Sequence, residues 1–131
     1  MFLVDTNVFL EALLEQQQAE EAQAFLINAP AGSIHVSDFS LYSIGILLVR
    51  RNLAESFQLF LQDVGAGMRL VRLDLEELSV LAEIARTLNL DFDDAYQYVV
   101  AERRELRLVS FDADFDGTPL GPVRPGEALG N

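Results

Sequence analysis

Three aspartates follow short apolar segments of the sequence. Asp5 comes directly after residues 2–4, and Asp112 and Asp114 come directly after residues 106–110. Short apolar runs of this kind are typical of buried strands. In an open parallel sheet, binding sites form beyond the carboxyl ends of the strands. If the two runs are parallel strands of one sheet, the three carboxylates meet at the same sheet edge.

Two further aspartates, Asp93 and Asp94, stand at the start of a helical pattern, where free backbone amides favour negative charge. They can reach the same edge as the first three acids. Carboxylates that converge in a cleft raise one another's pKa. Such a group persists when a hard cation neutralises it, and Mg²⁺ or Mn²⁺ prefers carboxylate and water oxygens. The pattern therefore predicts a divalent-metal site.

The alternative for each of these residues is a helix cap, because aspartate is common at helix N-termini and in loops. We assign Asp38 and Asp74 to caps for that reason, and Asp74 with Glu77 has the spacing of a capping box. Several independent caps have no reason to fall at strand ends of one polarity. The clustered acids therefore favour a metal site over a set of caps.

The elements that must position these acids alternate between short strands and helices. Strands are predicted at residues 2–4, 33–36, 68–73 and 106–110. Helices are predicted at residues 6–15, 19–28, 39–51, 54–64, 74–87 and 93–104. Thr6 or Asn7 is the expected cap of the first helix, residues 65–67 are expected to end the fourth, and residues 89–92 are a predicted turn.

This order predicts an α/β fold: a single domain with a central parallel β-sheet flanked by helices. Strands that alternate with helices pair in parallel through right-handed crossovers. Residues 1–131 are enough for one domain and too few for two. Residues 118–131 contain three Pro and three Gly, and we expect a loop and an ordered or frayed tail there.

Composition excludes several classes of protein. The chain carries 21 acidic and nine basic residues, all nine of them arginine, for a formal charge of −12. This balance argues against broad capture of nucleic acid through phosphate neutralisation. The absence of cysteine excludes disulfides and thiolate metal sites. No apolar run approaches the roughly 18 residues of a membrane span, and no signal-peptide pattern is seen, so a cytoplasmic protein with no membrane contact is expected.

Three segments resemble the PIN-domain family, in particular the VapC-type toxins of bacterial toxin–antitoxin pairs. Residues 2–9 resemble the family's opening strand and its Asp-Thr-Asn signature. Residues 90–101 resemble its third acidic motif, and residues 108–115 resemble its closing motif, with Ser110 where threonine is usual. The three motifs occur in order and at the expected distances, so the resemblance covers nearly the whole chain and implies a PIN-like fold.

One position departs from the family pattern. The family usually has a glutamate on the helix after the second strand, and residues 37–45 of this chain place Ser43 there. Asp38 is no simple substitute, because five helical residues separate it from that position by about 7 Å along the axis. Asp93 and Asp114 are the remaining candidates to supply the missing negative charge. The departure bears on catalytic competence and leaves the fold prediction unchanged.

The resemblance implies a metal-dependent endoribonuclease that cleaves single-stranded RNA. Asp5, Asp94 and Asp112 would hold one or two Mg²⁺ or Mn²⁺ ions, with Asp114 as an additional ligand. Such an ion lowers the pKa of a bound water and neutralises charge that develops on the attacked phosphate. The residues expected to support these ligands are Thr6, Asn7, Ser43, Asp93 and Ser110.

The resemblance also implies partners. An RNA strand needs some positive contact, and the candidate RNA-binding residues are Arg50, Arg51, Arg103 and Arg104. Solvated helix ends are the alternative interpretation of both pairs. An antitoxin would cover the acidic cleft with an apolar, arginine-bearing segment. Helix 39–49 has more apolar residues than one buried stripe needs, which predicts burial on several sides or a homodimer.

Two other enzyme classes also gather acids at strand ends. A bacterial receiver domain needs a lysine near its site, and this chain has none. A haloacid-dehalogenase-like phosphatase needs a lysine and a second aspartate two residues after Asp5, where Asn7 stands. The alternative that stays open is a PIN scaffold with weakened catalysis that acts as a protein- or RNA-binding module. The missing glutamate and the acidic surface both favour it.

Overall fold

A computed structural model describes residues 1–130. Its strands are β1 (Phe2–Val4), β2 (Ile34–Ser37), β3 (Arg69–Val71) and β4 (Arg107–Val109). Its helices are α1 (Thr6–Leu13), α2 (Ala19–Asn28), α3 (Asp38–Arg50), α4 (Ala54–Gly67), α5 (Leu75–Leu88), α6 (Phe92–Arg103) and α7 (Pro125–Ala128). The strands form one parallel sheet in the order β3-β2-β1-β4. The predicted α/β fold with a helix-flanked parallel sheet is confirmed.

The sheet is buried on both faces at β1 and β2, and its edge strand β3 is largely exposed. Successive side chains of a strand point to opposite faces, so Leu3 and Val4 of β1 enter two different apolar clusters, and both are fully buried. Leu108 and Val109 of β4 divide in the same way. Helices α5 and α6 cover one face, and α1 to α4 cover the other. Residues 1–130 contain no helix whose length and apolar character would suit a membrane crossing.

The pairing of β1 with β4 sets the position of the first acid. Val4 is opposite Val109, and the next backbone amide, that of Asp5, donates to the Val109 carbonyl at 2.9 Å. Asp5 and Ser110 therefore leave the sheet side by side. The carboxyl ends of these two adjacent strands form the edge at which the sequence predicts a site.

Two helix starts test the predicted caps. Asp5, rather than Thr6 or Asn7, is the N-cap of α1, because its backbone is still extended and its carboxylate accepts a hydrogen bond from the Thr6 amide at 2.8 Å. The prediction for Thr6 or Asn7 was therefore wrong. At α5, Asp74 and Glu77 form the predicted capping box, with reciprocal bonds of 2.8 and 3.0 Å.

Helix α3 begins with a cap one residue earlier than Asp38. The Ser37 hydroxyl accepts a hydrogen bond from the Ser40 amide at 3.1 Å, which makes Ser37 the N-cap. Asp38 is the first helical residue, so its assignment as the cap was wrong. Its carboxylate accepts from the Phe39 amide at 2.8 Å and from the Tyr96 hydroxyl at 2.7 Å. These bonds tie the start of α3 to α6.

The boundaries of α4 and α6 also differ from the prediction. Helix α4 continues through Gly65 to Gly67, where residues 65–67 were expected to end it. Glycine lowers helix stability by only about 1 kcal/mol per residue, which the tertiary packing of Phe60 and Val64 can offset. Helix α6 starts at Phe92 rather than Asp93, so the expected turn at residues 89–92 is shorter. Asp93 and Asp94 consequently lie in its first turn.

The C-terminal segment has more structure than the expected loop. Val123 forms a bridge with Val109: it donates to the Leu108 carbonyl, and its own carbonyl accepts from Ser110, both at 2.9 Å. Helix α7 follows, and the Gly126 amide donates to the Glu21 carboxylate at 2.8 Å. The predicted loop and tail at residues 118–131 thus contains a bridge to β4 and a short helix, and residue 131 lies outside the described part.

Candidate metal centre

Carboxylates from three parts of the chain meet beyond the ends of β1 and β4. Oxygens of Asp94, Asp112 and Asp114 lie within 4.8 Å of one another. Asp5 and Asp93 line the same cleft, whose volume is about 220 Å³, together with Asp94 and Asp112. The five aspartates singled out in the sequence are therefore neighbours at one edge of the sheet. Asp5 and Asp114 are 109 positions apart in the sequence, and the parallel pairing of β1 with β4 brings them together.

Asp5 is buried and held by four donors. Its two carboxylate oxygens accept hydrogen bonds from the Ser110 hydroxyl at 2.7 Å, the Thr6 amide at 2.8 Å, the Gln97 side-chain amide at 3.1 Å and the Asn7 side-chain amide at 3.4 Å. Burial raises the pKa of Asp5, and the bonds from Ser110, Gln97 and Thr6 oppose that rise. The donors therefore fix the carboxylate in one orientation and favour its charged form.

Asp94 experiences the strongest crowding of negative charge. It is half-buried in the first turn of α6, and burial together with the charges of Asp112, Asp5, Asp114 and Asp93 raises its pKa to about 7. Burial and the neighbouring negative charges thus allow Asp94 to keep a proton up to near neutral pH. A cation placed among these groups removes the cause of the repulsion.

Asp112 is the N-cap of a short 3₁₀ helix, Ala113–Phe115, that follows β4 and contains Asp114. The Asp112 carboxylate caps it by accepting from the Asp114 amide at 2.8 Å. The Asp112 amide donates to the Ser110 hydroxyl oxygen at 2.9 Å, and the same hydroxyl donates to Asp5. Ser110 therefore connects the acid after β1 to the acid after β4.

The structure also shows the location of Ser43, which stands where the family pattern predicts a glutamate. Ser43 lines the cleft with Asp5, Asp93 and Asp94, so the side chain that replaces the expected glutamate faces the acids and brings no charge. Asp38 contributes nothing to the cleft, because its carboxylate is bonded to the Tyr96 hydroxyl. The charges that remain near Ser43 come from α6 and the 3₁₀ helix.

Gln97 is a site residue that the sequence reasoning missed. It is only 1% exposed, and its amide nitrogen donates to Asp5 at 3.1 Å and to the Ser40 hydroxyl at 2.7 Å. Its Oε1 atom is buried with no hydrogen-bond partner and belongs to a side chain that lines the cleft. The available signal was a polar residue three positions after Asp94, on the same helix face and within an otherwise apolar run.

Ser40 extends this network to the start of α1. Its hydroxyl lies 2.8 Å from the Thr6 hydroxyl and 3.2 Å from the Ser37 hydroxyl, in addition to its bond with Gln97. Thr6 and Asn7, expected as supporting residues, both line the cleft. The polar contacts thus join α1, α3, α6 and β4 around Asp5.

The predicted RNA-binding arginines lie away from the cleft. Arg50 and Arg51 are exposed at the end of α3, about 10 Å along the axis from Ser43. Arg103 and Arg104 stand at the end of α6, about 15 Å along the axis from its acidic first turn. Arg104 also pairs with Glu77. The structure does not bring either pair together with the acids.

An arginine outside the predicted set lies nearer. Arg124 shares a small cavity with Asp112, and its guanidinium carbon stands 4.9 Å from the centre of the Phe111 ring. It also pairs with Glu21 at 3.3 Å. This arginine is carried by the structured C-terminal segment, which the sequence analysis had treated as loop.

The residues present suit a hard divalent cation. Three carboxylates with oxygens inside a 4.8 Å range supply charged oxygen ligands, and the Gln97 carbonyl oxygen is a buried acceptor without a partner. An all-oxygen donor set is the one that Mg²⁺ and Mn²⁺ prefer. Burial and the neighbouring carboxylates raise the pKa of Asp94, and a bound cation would favour its charged form instead. Asp5 stands next to the three-acid group as a rigid fourth carboxylate.

Comparisons with known proteins agree with this description. The family model for the PIN domain matches residues 2–119. Mycobacterium tuberculosis VapC20, described as a Sarcin-Ricin loop cleaving toxin, aligns with a TM-score of 0.81 at 18% identity, over 95% of this chain and 100% of that one. A toxin–antitoxin complex from Klebsiella pneumoniae aligns with a TM-score of 0.77 at 18% identity, over 95% and 98%.

A third solved structure extends the comparison. FitAcB from Neisseria gonorrhoeae aligns with a TM-score of 0.73 at 18% identity, over 97% of this chain and 99% of that one. At this level of identity, the likeness establishes the fold alone. A search of curated protein sequences gave no match.

Proposed function

The chain belongs to the PIN domain family, and from that membership and the acidic cleft we propose a metal-dependent endoribonuclease that cleaves single-stranded RNA in the cytoplasm. The observation that carries the proposal is the convergence of Asp94, Asp112 and Asp114 within 4.8 Å, beside the buried Asp5. The solved structures named above, among them a toxin and a toxin–antitoxin complex, support the further proposal that it is the toxin of such a pair.

Asp94, Asp112 and Asp114 would hold the cation, with Asp5 as the adjacent fourth carboxylate. A bound Mg²⁺ or Mn²⁺ supplies Lewis acidity, which activates water and offsets charge on a phosphate. The chain's own residues do the positioning. Ser110 holds Asp5 and the Asp112 backbone at fixed places through one hydroxyl, and Gln97 holds Asp5 from the side of α6.

Ser43 sets the expected strength of the site. A serine hydroxyl there leaves the cleft with one carboxylate fewer than a glutamate would give. Fewer carboxylates favour one tightly held cation over two. We therefore propose slow cleavage that Mn²⁺ supports better than Mg²⁺, because Mn²⁺ generally binds protein N/O sites more tightly.

The proposed assembly includes a second copy of the chain and an antitoxin. Tyr42, Ile46 and Val49 follow helical spacing on α3 and are 68%, 60% and 56% exposed, while Ile44 and Leu48 of the same helix are buried. This exposed apolar stripe supports a homodimer through α3. The acid-rich cleft supports an antitoxin segment that carries arginine, since such a segment would neutralise the same charges as the cation.

A scaffold with weakened catalysis is the second candidate. The neutral Ser43 in the cleft and the −12 formal charge both favour it. In that case the cleft still binds a cation or an arginine-bearing protein segment, and the chain works as a binding module.

The experiment that separates the two candidates measures cleavage of end-labelled single-stranded RNA with Mn²⁺, with Mg²⁺ and with a chelator. Asp94→Asn, purified in parallel, is the matched control for contaminating ribonucleases. Cleavage by the wild type with Mn²⁺, together with no cleavage by Asp94→Asn, would support the ribonuclease. Equal cutting by both proteins would remove that support. Cation binding without any cutting would make the binding module the better account.

A further inference from the structure

Three aromatic rings form a cluster at the mouth of the acidic cleft. The ring centres of Phe39, Phe92 and Tyr96 lie 5.5 to 6.4 Å apart, with interplanar angles of 31° to 45°. Phe39 lines the cleft itself, alongside Asp93 and Asp94. We propose that Phe92 and Phe39 form a stacking platform for an unpaired nucleobase of the RNA strand whose phosphate enters the cleft. This inference rests on the proposed function and deepens it.

The positions of the rings favour a binding role over a purely packing role. Tyr96 is buried, and its hydroxyl is fixed by a bond to Asp38 at 2.7 Å and a bond from the Leu73 amide at 3.0 Å. Phe39 is partly buried against the same apolar cluster. Phe92, in contrast, is 56% exposed although two rings stand beside it. A rigid inner ring thus supports an outer ring that still presents surface to a ligand.

Charge identifies the ligand as a base rather than a run of phosphates. The chain carries 21 acidic residues and no lysine, and its predicted RNA-binding arginines lie away from the cleft. Neutralising many phosphates is therefore not available as a source of affinity. Stacking on an aromatic side chain is independent of charge and works for every base, which suits a single strand. The Phe92 ring lies 6.1 Å from the ring of Phe39, which lines the cleft with Asp94, so a base on Phe92 belongs to a nucleotide close to the phosphate at the acids.

The test compares the affinity of Phe92→Ala and wild type for a short fluorescent single-stranded RNA, read as anisotropy with Mn²⁺ before product accumulates. Removing one aromatic platform is expected to weaken binding by about tenfold. The Michaelis constant for cleavage should rise with little change in kcat, because the stacked base contributes equally to ground state and transition state. Phe92→Trp should preserve or increase the affinity.

Leu75→Ala is the matched control. Leu75 is the first residue of α5, as Phe92 is of α6, and it is 83% exposed. It lies near the other end of α6, because Glu77 of the same helix turn pairs with Arg104. Its replacement should leave RNA affinity unchanged.

An abasic nucleotide next to the cut should weaken binding to wild type and have no further effect in Phe92→Ala.

The outcomes separate this inference from the proposed enzyme. RNA binding that Phe92→Ala weakens, without any cutting, would uphold the platform and remove the nuclease. Cutting with unchanged affinity in Phe92→Ala would overturn the platform alone, and would leave the exposed ring to a protein partner. Equal losses in Phe92→Ala and Leu75→Ala would overturn it as well. A wild type that neither binds nor cuts RNA would overturn both.

Discussion

Replacing Gln97 with leucine removes an amide donor from the centre of the site while keeping a similar side-chain volume. The lost bond to the Asp5 carboxylate, 3.1 Å long, is of a kind that contributes about 1.5–3 kcal/mol, and the 2.7 Å bond to Ser40 contributes about 1 kcal/mol. The unpaired Oε1 atom costs the wild type about 1–3 kcal/mol, and leucine removes that cost. The net expectation is a loss of about 1 kcal/mol in the free energy of unfolding.

The loss depends on the charge of Asp5. Burial already raises the pKa of Asp5, the Gln97 bond lowers it, and leucine lets it rise further. The stability difference between wild type and Gln97→Leu is therefore largest where Asp5 is ionised, at alkaline pH, and shrinks as the pH falls and Asp5 takes up a proton. In urea, a slope of roughly 1–3 kcal/mol per molar converts about 1 kcal/mol into a midpoint shift of about 0.3–1 M.

The assay is chelator-treated urea unfolding followed by circular dichroism at pH 8 and pH 5. Gln97→Glu is the informative control, because it keeps the side-chain shape and sets a carboxyl group against Asp5. It should lose more stability than Gln97→Leu at pH 8 and regain it at pH 5. If Gln97→Leu matches the wild type at both pH values, the amide does not hold Asp5, and the positioning role fails.

Three further predictions follow from the acids and from α3. The pKa of Asp94 in the folded state is about 7, against 3.8 for a free carboxyl. Between these pH values the folded state keeps a proton that the unfolded state releases, so the free energy of unfolding measured without metal should fall as the pH rises. Asp94→Asn should flatten this fall in the urea midpoints, and an unchanged pH dependence in that variant would contradict the raised pKa. Ser43→Glu should tighten Mn²⁺ binding by calorimetry and speed RNA cleavage, with Asp5→Asn inactive; if neither quantity changes, the neighbouring acids already supply the charge. Light scattering should report a dimer that Ile46→Glu converts to a monomer, whereas a monomeric wild type at high concentration would exclude the α3 interface.

Much of the fold could be predicted because local signals agreed with the tertiary structure. Strand β1 is apolar on both faces, and the capping box of Asp74 marks the start of α5 unambiguously. The departures arose where packing outweighed local propensity. Gly65 is tolerated inside α4 because neighbouring helical residues are buried, and Val123 pairs with β4 although its sequence context reads as loop. Neither the packing of α4 nor the pairing of Val123 with β4 produces a recognisable pattern in the sequence.

The residues of the candidate site could likewise be predicted only in part. Asp5, Asp94 and Asp112 could be grouped because each stands at the end of a strand or the start of a helix, and the polarity of a parallel sheet brings such positions together. Gln97 could not be assigned to the site in the same way, since its role depends on the angle at which α6 crosses β1. The distance of Arg104 from the acids, in contrast, could have been predicted, because ten helical residues at about 1.5 Å each separate it from Asp94.

The measurement that tests the central claim most directly is anomalous X-ray scattering from crystals soaked in Mn²⁺. The account predicts an anomalous difference peak between the carboxylates of Asp94, Asp112 and Asp114, and no such peak in crystals of Asp94→Asn. A cation that binds only elsewhere, for example beside the exposed acids Glu76 and Asp74 at the start of α5, would contradict it. So would an empty acidic cleft at saturating Mn²⁺.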